Sequence, residues 1–114
     1  MEKKNEILEL SFEFALDIIA FCELLEEHKK YVIARQLLKS GTSIGANIRE
    51  AQNAESNSDF IHKLKIAAKE AEETEYWLLL CERSQKYPFD HTLIIKLISI
   101  KKLLNSIITT MKYP

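Results

Sequence analysis

Apolar residues recur every three or four positions along four long segments of this chain, which is the period of an amphipathic α-helix. Only two glycines and two prolines occur among the 114 residues, so little interrupts these segments. A chain of this length can bury enough surface to fold without disulfides or metals. We therefore predict an all-α fold in which residues 1–114 form a single domain.

Polar and helix-breaking residues mark the ends of the predicted helices. Either Ser56 or Ser58 can cap the third helix and Asp90 the fourth, because their side chains accept hydrogen bonds from a first turn. Pro88 separates these two helices. Connections this short imply antiparallel neighbours, so we predict an up-down-up-down four-helix bundle. The first two helices are expected at about 5–27 and about 31–54. The third follows its serine cap, after the interruption at Asn57 and Ser58, and ends near 86; the fourth follows Asp90 and reaches about 111.

The second helix contains a stretch, Ser40 to Gly45, that is a poor helix former in isolation. It could be a loop, but the apolar spacing from Leu37 to Ile44 keeps its phase across it. We therefore predict a continuous helix, with this stretch as the place where a bend is tolerated. Because Gly41 and Gly45 have no side chains, one face of this helix has almost no side-chain volume. This indicates close packing of the backbone against a neighbouring helix, and the alternative is a ligand site.

A polar strip runs beside the apolar face of the second helix at spacings of four, three, four and three residues. Small hydroxyl and amide groups in this register suggest a partly buried hydrogen-bond network, for which Glu75 on the third helix is the expected partner. The alternative is a ligand site. The strip consists of Gln36, Ser40, Ser43, Asn47 and Glu50.

The third and fourth helices carry more apolar residues than one bundle core can absorb. Contiguous surplus apolar surface marks interfaces, and aromatic residues are enriched in interface cores. We expect self-association, the alternative being a wide apolar face inside a monomer. The predicted interface residues are Tyr76, Trp77, Leu80, Ile94, Ile98 and Ile108.

The charge is nearly balanced overall, at −1, but it is unevenly distributed. Residues 2–27 hold eight acids and two lysines, whereas residues 91–114 hold four lysines and no acid. We expect Lys101 or Lys102 to lie beside the acidic flank of the first helix, within one chain or across a subunit boundary. The competing interpretation is a free basic strip that binds RNA.

No segment has the pattern of a signal peptide or a membrane span. The first ten residues are charged throughout, and three lysines interrupt the most apolar stretch, residues 92–111. Cys22 and Cys81 each lie on an apolar helical face, so we expect both to be buried and reduced. These features predict a cytoplasmic protein without a membrane partner.

The sequence offers no recognisable catalytic, cofactor or metal site. A di-iron bundle requires Glu-x-x-His on two helices, and the nearest pattern here is a single Asp59 to His62. The three histidines are scattered, and neither Cys-x-x-Cys nor a glycine-rich phosphate loop occurs. We therefore expect no enzymatic activity and no cofactor.

Two blocks of sequence resemble the bacterial four-helix-bundle proteins named after intervening sequences in 23S ribosomal RNA genes. The first block is Gln36 to Ala51; the second is Asp59 to Leu64 with Glu70 to Leu78. The resemblance implies a bundle that forms a homopentameric ring. Accessory proteins of diversity-generating retroelements are similar in fold, and they bind RNA and reverse transcriptase through basic surfaces. The resemblance brings no catalytic residues with it.

Two hypotheses of function follow, and a metal or small-molecule enzyme is the third alternative. The first is a non-enzymatic oligomeric scaffold or adaptor, a pentameric ring that works through its helix surfaces. The second is an RNA-binding accessory factor. Its candidate nucleic-acid contacts are Lys29, Lys30, Arg35, Lys39, Lys96, Lys101 and Lys102.

Overall fold

Four long helices account for most of the molecule. The computed structural model describes the backbone of residues 2–112 and the side chains of residues 6–112. The helices are α1 (Glu2–Glu27), α2 (Tyr31–Ala51), α3 (Asn57–Arg83) and α4 (His91–Lys112). A helix of 27 residues is about 40 Å long, close to the 47 Å length of the molecule, whose other dimensions are 21 and 19 Å.

Each helix packs against two neighbours in the cyclic order α1–α2–α3–α4, and within residues 2–112 the Cα atoms of diagonal helices stay more than 8 Å apart. Residue numbers rise along one helix while those of the contacting residues fall along the next. The bundle is therefore antiparallel and up-down-up-down, as predicted. The contacts that set this register are Ile18 with Gly41, Ser11 with Gly45, Ser40 with Thr74, Glu50 with Lys63, Glu75 with Lys101, and Glu82 with His91.

The capping predictions for α3 and α4 are confirmed. Ser56 Oγ accepts a hydrogen bond from the Asp59 amide at 3.1 Å, and Asp59 Oδ2 accepts one from the Glu55 amide at 3.3 Å. Asp90 Oδ1 accepts from both the amide and the hydroxyl of Thr92, at 3.0 and 2.6 Å. These bonds satisfy first-turn N–H groups that have no partner within the helix.

Helix α2 runs without interruption through Ser40 to Gly45, so the loop alternative is excluded. It ends at Ala51, three residues earlier than the predicted Ala54. The chain changes there to turns of the 3₁₀ type, in which the amides of Gln52, Asn53 and Ala54 each donate to the carbonyl three residues earlier. Helix α3 likewise ends at Arg83 rather than near Lys86, because Ser84 is already extended.

The two glycines of α2 bring it close to α1. A Cβ added to Gly41 would lie 2.9 Å from Cγ1 and Cγ2 of Ile18, and one added to Gly45 would lie 3.3 Å from the Ser11 carbonyl oxygen. Ordinary van der Waals contact requires more space than this. The two glycines therefore allow close packing of the helices, as the sequence predicted.

The core is a continuous apolar column along the bundle axis. Three polar side chains, those of Ser11, Ser40 and Thr74, are also buried. No buried side-chain nitrogen or oxygen among the described residues lacks a hydrogen-bond partner. The largest fully buried side chains are Phe14, Ile7, Ile18, Leu25, Leu37, Ile44, Ile48, Leu64, Leu78, Leu93, Leu97 and Ile100.

Candidate interaction surfaces

The buried partner of Ser40 is Thr74, not Glu75. Their hydroxyl oxygens lie 2.9 Å apart, and Thr74 Oγ1 is also 2.7 Å from the carbonyl of Glu70. Successive helix residues differ by about 100° in direction. Thr74 therefore faces α2, whereas Glu75 faces α4. The prediction that Glu75 joins the polar strip was wrong for this reason.

The other members of the polar strip do not form a connected network. Ser43 Oγ and Asn47 Nδ2 donate to backbone carbonyls four residues earlier in their own helix, at 2.6 and 2.9 Å. Glu50 forms a salt bridge with Lys63 at 3.0 Å, and Gln36 is exposed. Only the Ser40–Thr74 contact links this strip to α3 through buried groups.

Lys101 lies between two glutamates of α3 rather than beside α1. Its Nζ is 2.7 Å from Glu72 and 2.8 Å from Glu75, and its side chain is 22 % exposed. Burial works against the charge of Lys101, but the hydrogen bonds to both carboxylates outweigh it and raise its pKa. Within one chain, the expected pairing of Lys101 with the acidic flank of α1 was therefore wrong, while a contact of Lys102 with α1 across a subunit boundary stays a prediction.

Lys96 is the lysine that meets the acidic flank of α1. Its Nζ lies 2.6 Å from Asp17 Oδ2. The hydrogen bond to Asp17, together with the charge of that carboxylate, raises the pKa of Lys96. Lys102 is exposed. The excess of lysines on α4 is thus divided between α1 and α3 instead of forming one basic strip.

The structure disperses the predicted interface residues. Ile94 is only 9 % exposed and belongs to the core, so its assignment to an interface was wrong: a wide apolar face inside the monomer accounts for it. Trp77 and Ile108 are partly buried against that core, and Leu80 is partly buried. Tyr76 and Ile98 remain 57 % and 40 % exposed.

Helix α1 carries the most continuous exposed apolar row. Phe12, Leu16 and Ile19 are 54 %, 52 % and 42 % exposed, at the i, i+4, i+7 spacing of one helix face. None of the three residues was among the predicted interface residues, although their spacing in the sequence carries the signal of one helix face.

A groove between α1 and α2 borders this row. One cavity of about 180 Å³ lies between Phe12 and Ala46, and a second of about 240 Å³ lies between Ile19 and Leu38. Arg49 lines the first and Arg35 the second. Gly45 forms part of the floor, because it has no side chain to fill the space.

The candidate nucleic-acid contacts divide into engaged and free groups. Lys96 and Lys101 are engaged in the ion pairs described above, and Lys30 Nζ lies 4.8 Å from the centre of the Tyr87 ring. The remaining candidates have no ion-pair partner among the described side chains. These are Lys29, Arg35, Lys39 and Lys102, all exposed.

Both cysteines are free and buried. Burial raises the pKa of the Cys22 thiol to about 12 and that of Cys81 to about 11. Within the described part of the chain, no cluster of His, Cys, Asp or Glu could hold a metal ion. None of the four described helices is long and apolar enough to cross a membrane.

The sequence of residues 3–106 matches a family model described as 23S rRNA-intervening sequence protein. This chain belongs to that family. No curated protein matches it in sequence. Among solved structures it is similar to a protein of unknown function from the S23 ribosomal protein family of Bacteroides thetaiotaomicron VPI-5482. The two chains are 47 % identical with a TM-score of 0.87, covering 94 % of this chain and 98 % of the other.

Proposed function

We propose that this protein is a non-enzymatic scaffold that assembles from copies of itself and presents helix surfaces to a partner in the cytoplasm. The observation that carries the proposal is the exposed row of Phe12, Leu16 and Ile19 on α1. Monomeric proteins rarely expose contiguous apolar patches larger than a few hundred Å², and such patches mark interaction sites. The family resemblance adds a specific expectation, a closed ring of five copies.

Light scattering coupled to size exclusion tests the assembly. We expect the purified chain to elute as a single species whose mass is a multiple of 13.2 kDa, with a ring of five as the proposed value. A mass of one chain that does not change on concentration contradicts the scaffold proposal. A closed oligomer of another size would support the scaffold proposal and contradict the expected ring of five.

A second candidate function is RNA binding through α2 and the α1–α2 turn. Lys29, Arg35 and Lys39 support it, because they are exposed and carry charge that no ion pair neutralises. The net charge of −1 and the engagement of Lys96 and Lys101 weigh against a large basic surface. For these reasons the scaffold is the principal proposal.

The salt dependence of binding separates the two candidates. Phosphate contacts make affinity for RNA fall steeply as salt rises. If the protein binds RNA, Arg35→Glu/Lys39→Glu removes a salt-sensitive affinity for a labelled RNA. The control Lys65→Glu/Lys86→Glu has the same charge change on α3 and the following loop, and it retains that affinity. Equal loss in both variants would mean non-specific attraction.

A further inference from the structure

Two exposed strips on this bundle have the same length and opposite charges at their ends. The α1 strip has Leu16 at its centre, with Glu9 seven residues before it and Glu23 seven residues after it. The α3 strip is centred on Tyr76, with Lys69 and Arg83 at the same two distances. All six residues are exposed. Seven residues are nearly two helical turns, so each set of three lies on one face of its helix.

Apolar side chains flank the centre of each strip, although Glu72 and Glu73 lie between Lys69 and Tyr76 on α3. Phe12 and Ile19 flank Leu16 on α1, and Leu80 follows Tyr76 one turn later on α3. The end charges of each strip are about 21 Å apart, because a helix rises about 1.5 Å per residue. Laid side by side, the two strips would bring Leu16 against Tyr76 and each glutamate against a cation.

The charges at the ends of these strips are available for a partner. Among the side chains that the structure describes, Glu9, Glu23, Lys69 and Arg83 form no ion pair. The neighbouring acids of α3 bond groups of their own chain, although the neutral indole of Trp77 leaves the charge of Glu73 in place. Glu72 bonds Lys101, and Glu73 Oε2 accepts from Trp77 Nε1 at 3.2 Å.

The side chain of Tyr76 is also held in place by its neighbour Trp77. Its ring lies edge-on to that of Trp77, with centroids 5.2 Å apart, and Trp77 packs against the core. An aromatic side chain held in this way loses little conformational freedom on binding, so it suits an interface.

We propose that the α1 strip of one copy docks on the α3 strip of the next copy. This inference rests on the proposed self-assembly and names the surfaces that perform it. An α1 strip does not pair with another α1 strip, because both ends would oppose glutamates. The same holds for two α3 strips with their cations. The contact is therefore heterologous, the kind that builds a ring when the rotation closes.

A mixing experiment tests the pairing through two variants at exposed positions. Leu16→Glu destroys the α1 strip and Tyr76→Glu the α3 strip, while each leaves the other strip intact. We expect each variant alone to be a monomer by light scattering. Mixed in equal amounts, they should form a one-to-one dimer of twice the chain mass and no larger species. The Tyr76→Glu chain supplies the α1 strip of that dimer, and the Leu16→Glu chain supplies the α3 strip.

Ile95→Glu is the matched control. Ile95 is 54 % exposed on α4, outside both strips, and the variant should keep the wild-type mass. If the wild-type chain assembles but the mixture stays monomeric, or if only Ile95→Glu breaks the assembly, the strip pairing is wrong while the scaffold survives. Strip variants that keep the wild-type mass would also overturn the pairing, and would leave the strips to a different partner. A monomeric wild-type chain refutes the scaffold itself.

A charge reversal checks the same contact without altering apolar residues. Glu9→Lys/Glu23→Lys and Lys69→Glu/Arg83→Glu should each weaken assembly, since each places like charges against one another. The chain that carries all four changes should assemble again. Failure of the fourfold variant to recover, while its circular dichroism remains helical, contradicts the pairing.

Discussion

The hydroxyl oxygens of Ser40 and Thr74 lie 2.9 Å apart inside the contact between α2 and α3, where neither residue is exposed to solvent. Each hydroxyl has one proton to donate. Thr74 Oγ1 also lies 2.7 Å from the Glu70 carbonyl, so Ser40 donating to Thr74 and Thr74 donating to Glu70 satisfies every group. This short chain is the only buried polar link between the two helices among the described residues.

Thr74→Val keeps the shape of the side chain but removes the acceptor of Ser40. We expect a loss of about 1–3 kcal/mol in the free energy of unfolding, because the Ser40 hydroxyl is left buried with only a 3.5 Å contact to the Leu37 carbonyl. Ser40→Ala/Thr74→Val should cost less than the two single changes together. Urea melts of the four proteins measure this coupling, and additive costs would show that the two hydroxyls do not interact.

Gly41→Ala places a methyl group against Ile18. The added Cβ would lie 2.9 Å from two carbons of that side chain. Overpacking of this kind costs about 1–3 kcal/mol, more than the roughly 1 kcal/mol that alanine contributes as a helix former. We therefore expect Gly41→Ala to lower the free energy of unfolding. In an Ile18→Ala background, which removes both clashing carbons, the same substitution should be stabilising in denaturant melts.

Lys101→Met leaves Glu72 and Glu75 without their shared cation. Lys101 forms ion pairs with both glutamates, but Glu72 is well exposed and its pair is screened by water. We therefore expect the substitution to lower the free energy of unfolding by only about 1–2 kcal/mol. The folded pKa of Lys101 is raised. Its contribution is therefore complete below the ordinary lysine value of about 10.4 and is lost as pH rises through the higher folded value.

Thermal melts of wild type and Lys101→Met from about pH 8 to about pH 11.5 follow this change across the ordinary lysine pKa. The difference in stability should be constant at first and then shrink. Lys102→Met is the control, because Lys102 is exposed and should show little difference at any pH. A difference that grows with pH would contradict the assigned role of Lys101.

The buried cysteines should react only when the protein opens. Burial raises the pKa of Cys22 to about 12 and of Cys81 to about 11, so almost no thiolate forms near pH 8. We expect labelling by a disulfide reagent to be on the order of a thousandfold slower, or more, than in the unfolded chain. Rapid native labelling of either thiol would contradict its buried position.

No disulfide should join these cysteines under mild oxidation. They lie on the diagonal helices α1 and α3, whose Cα atoms are everywhere more than 8 Å apart. A disulfide requires a Cα separation below about 7 Å. Mass spectrometry after oxidation should therefore find both thiols free in the folded protein.

The sequence by itself determined the number and order of the helices, and their ends to within about three residues. Apolar periodicity, the caps at Ser56 and Asp90 and the stop before Pro88 are local signals, and each acts within a few residues of the structure that it sets. The continuity of α2 through Ser40 to Gly45 also followed from such a signal. Short connections then left the antiparallel bundle as the natural arrangement.

Only the tertiary structure decided which helix each flanking residue faces. A step of one residue turns a side chain by about 100°. Because of that step, Thr74 faces α2 whereas Glu75 faces α4. The rotation of α4 about its own axis places Ile94 in the core and Lys101 against α3. These rotations depend on how the helices fit together, as Gly41 fits against Ile18. Such fits join residues far apart in the chain, so no local pattern contains them.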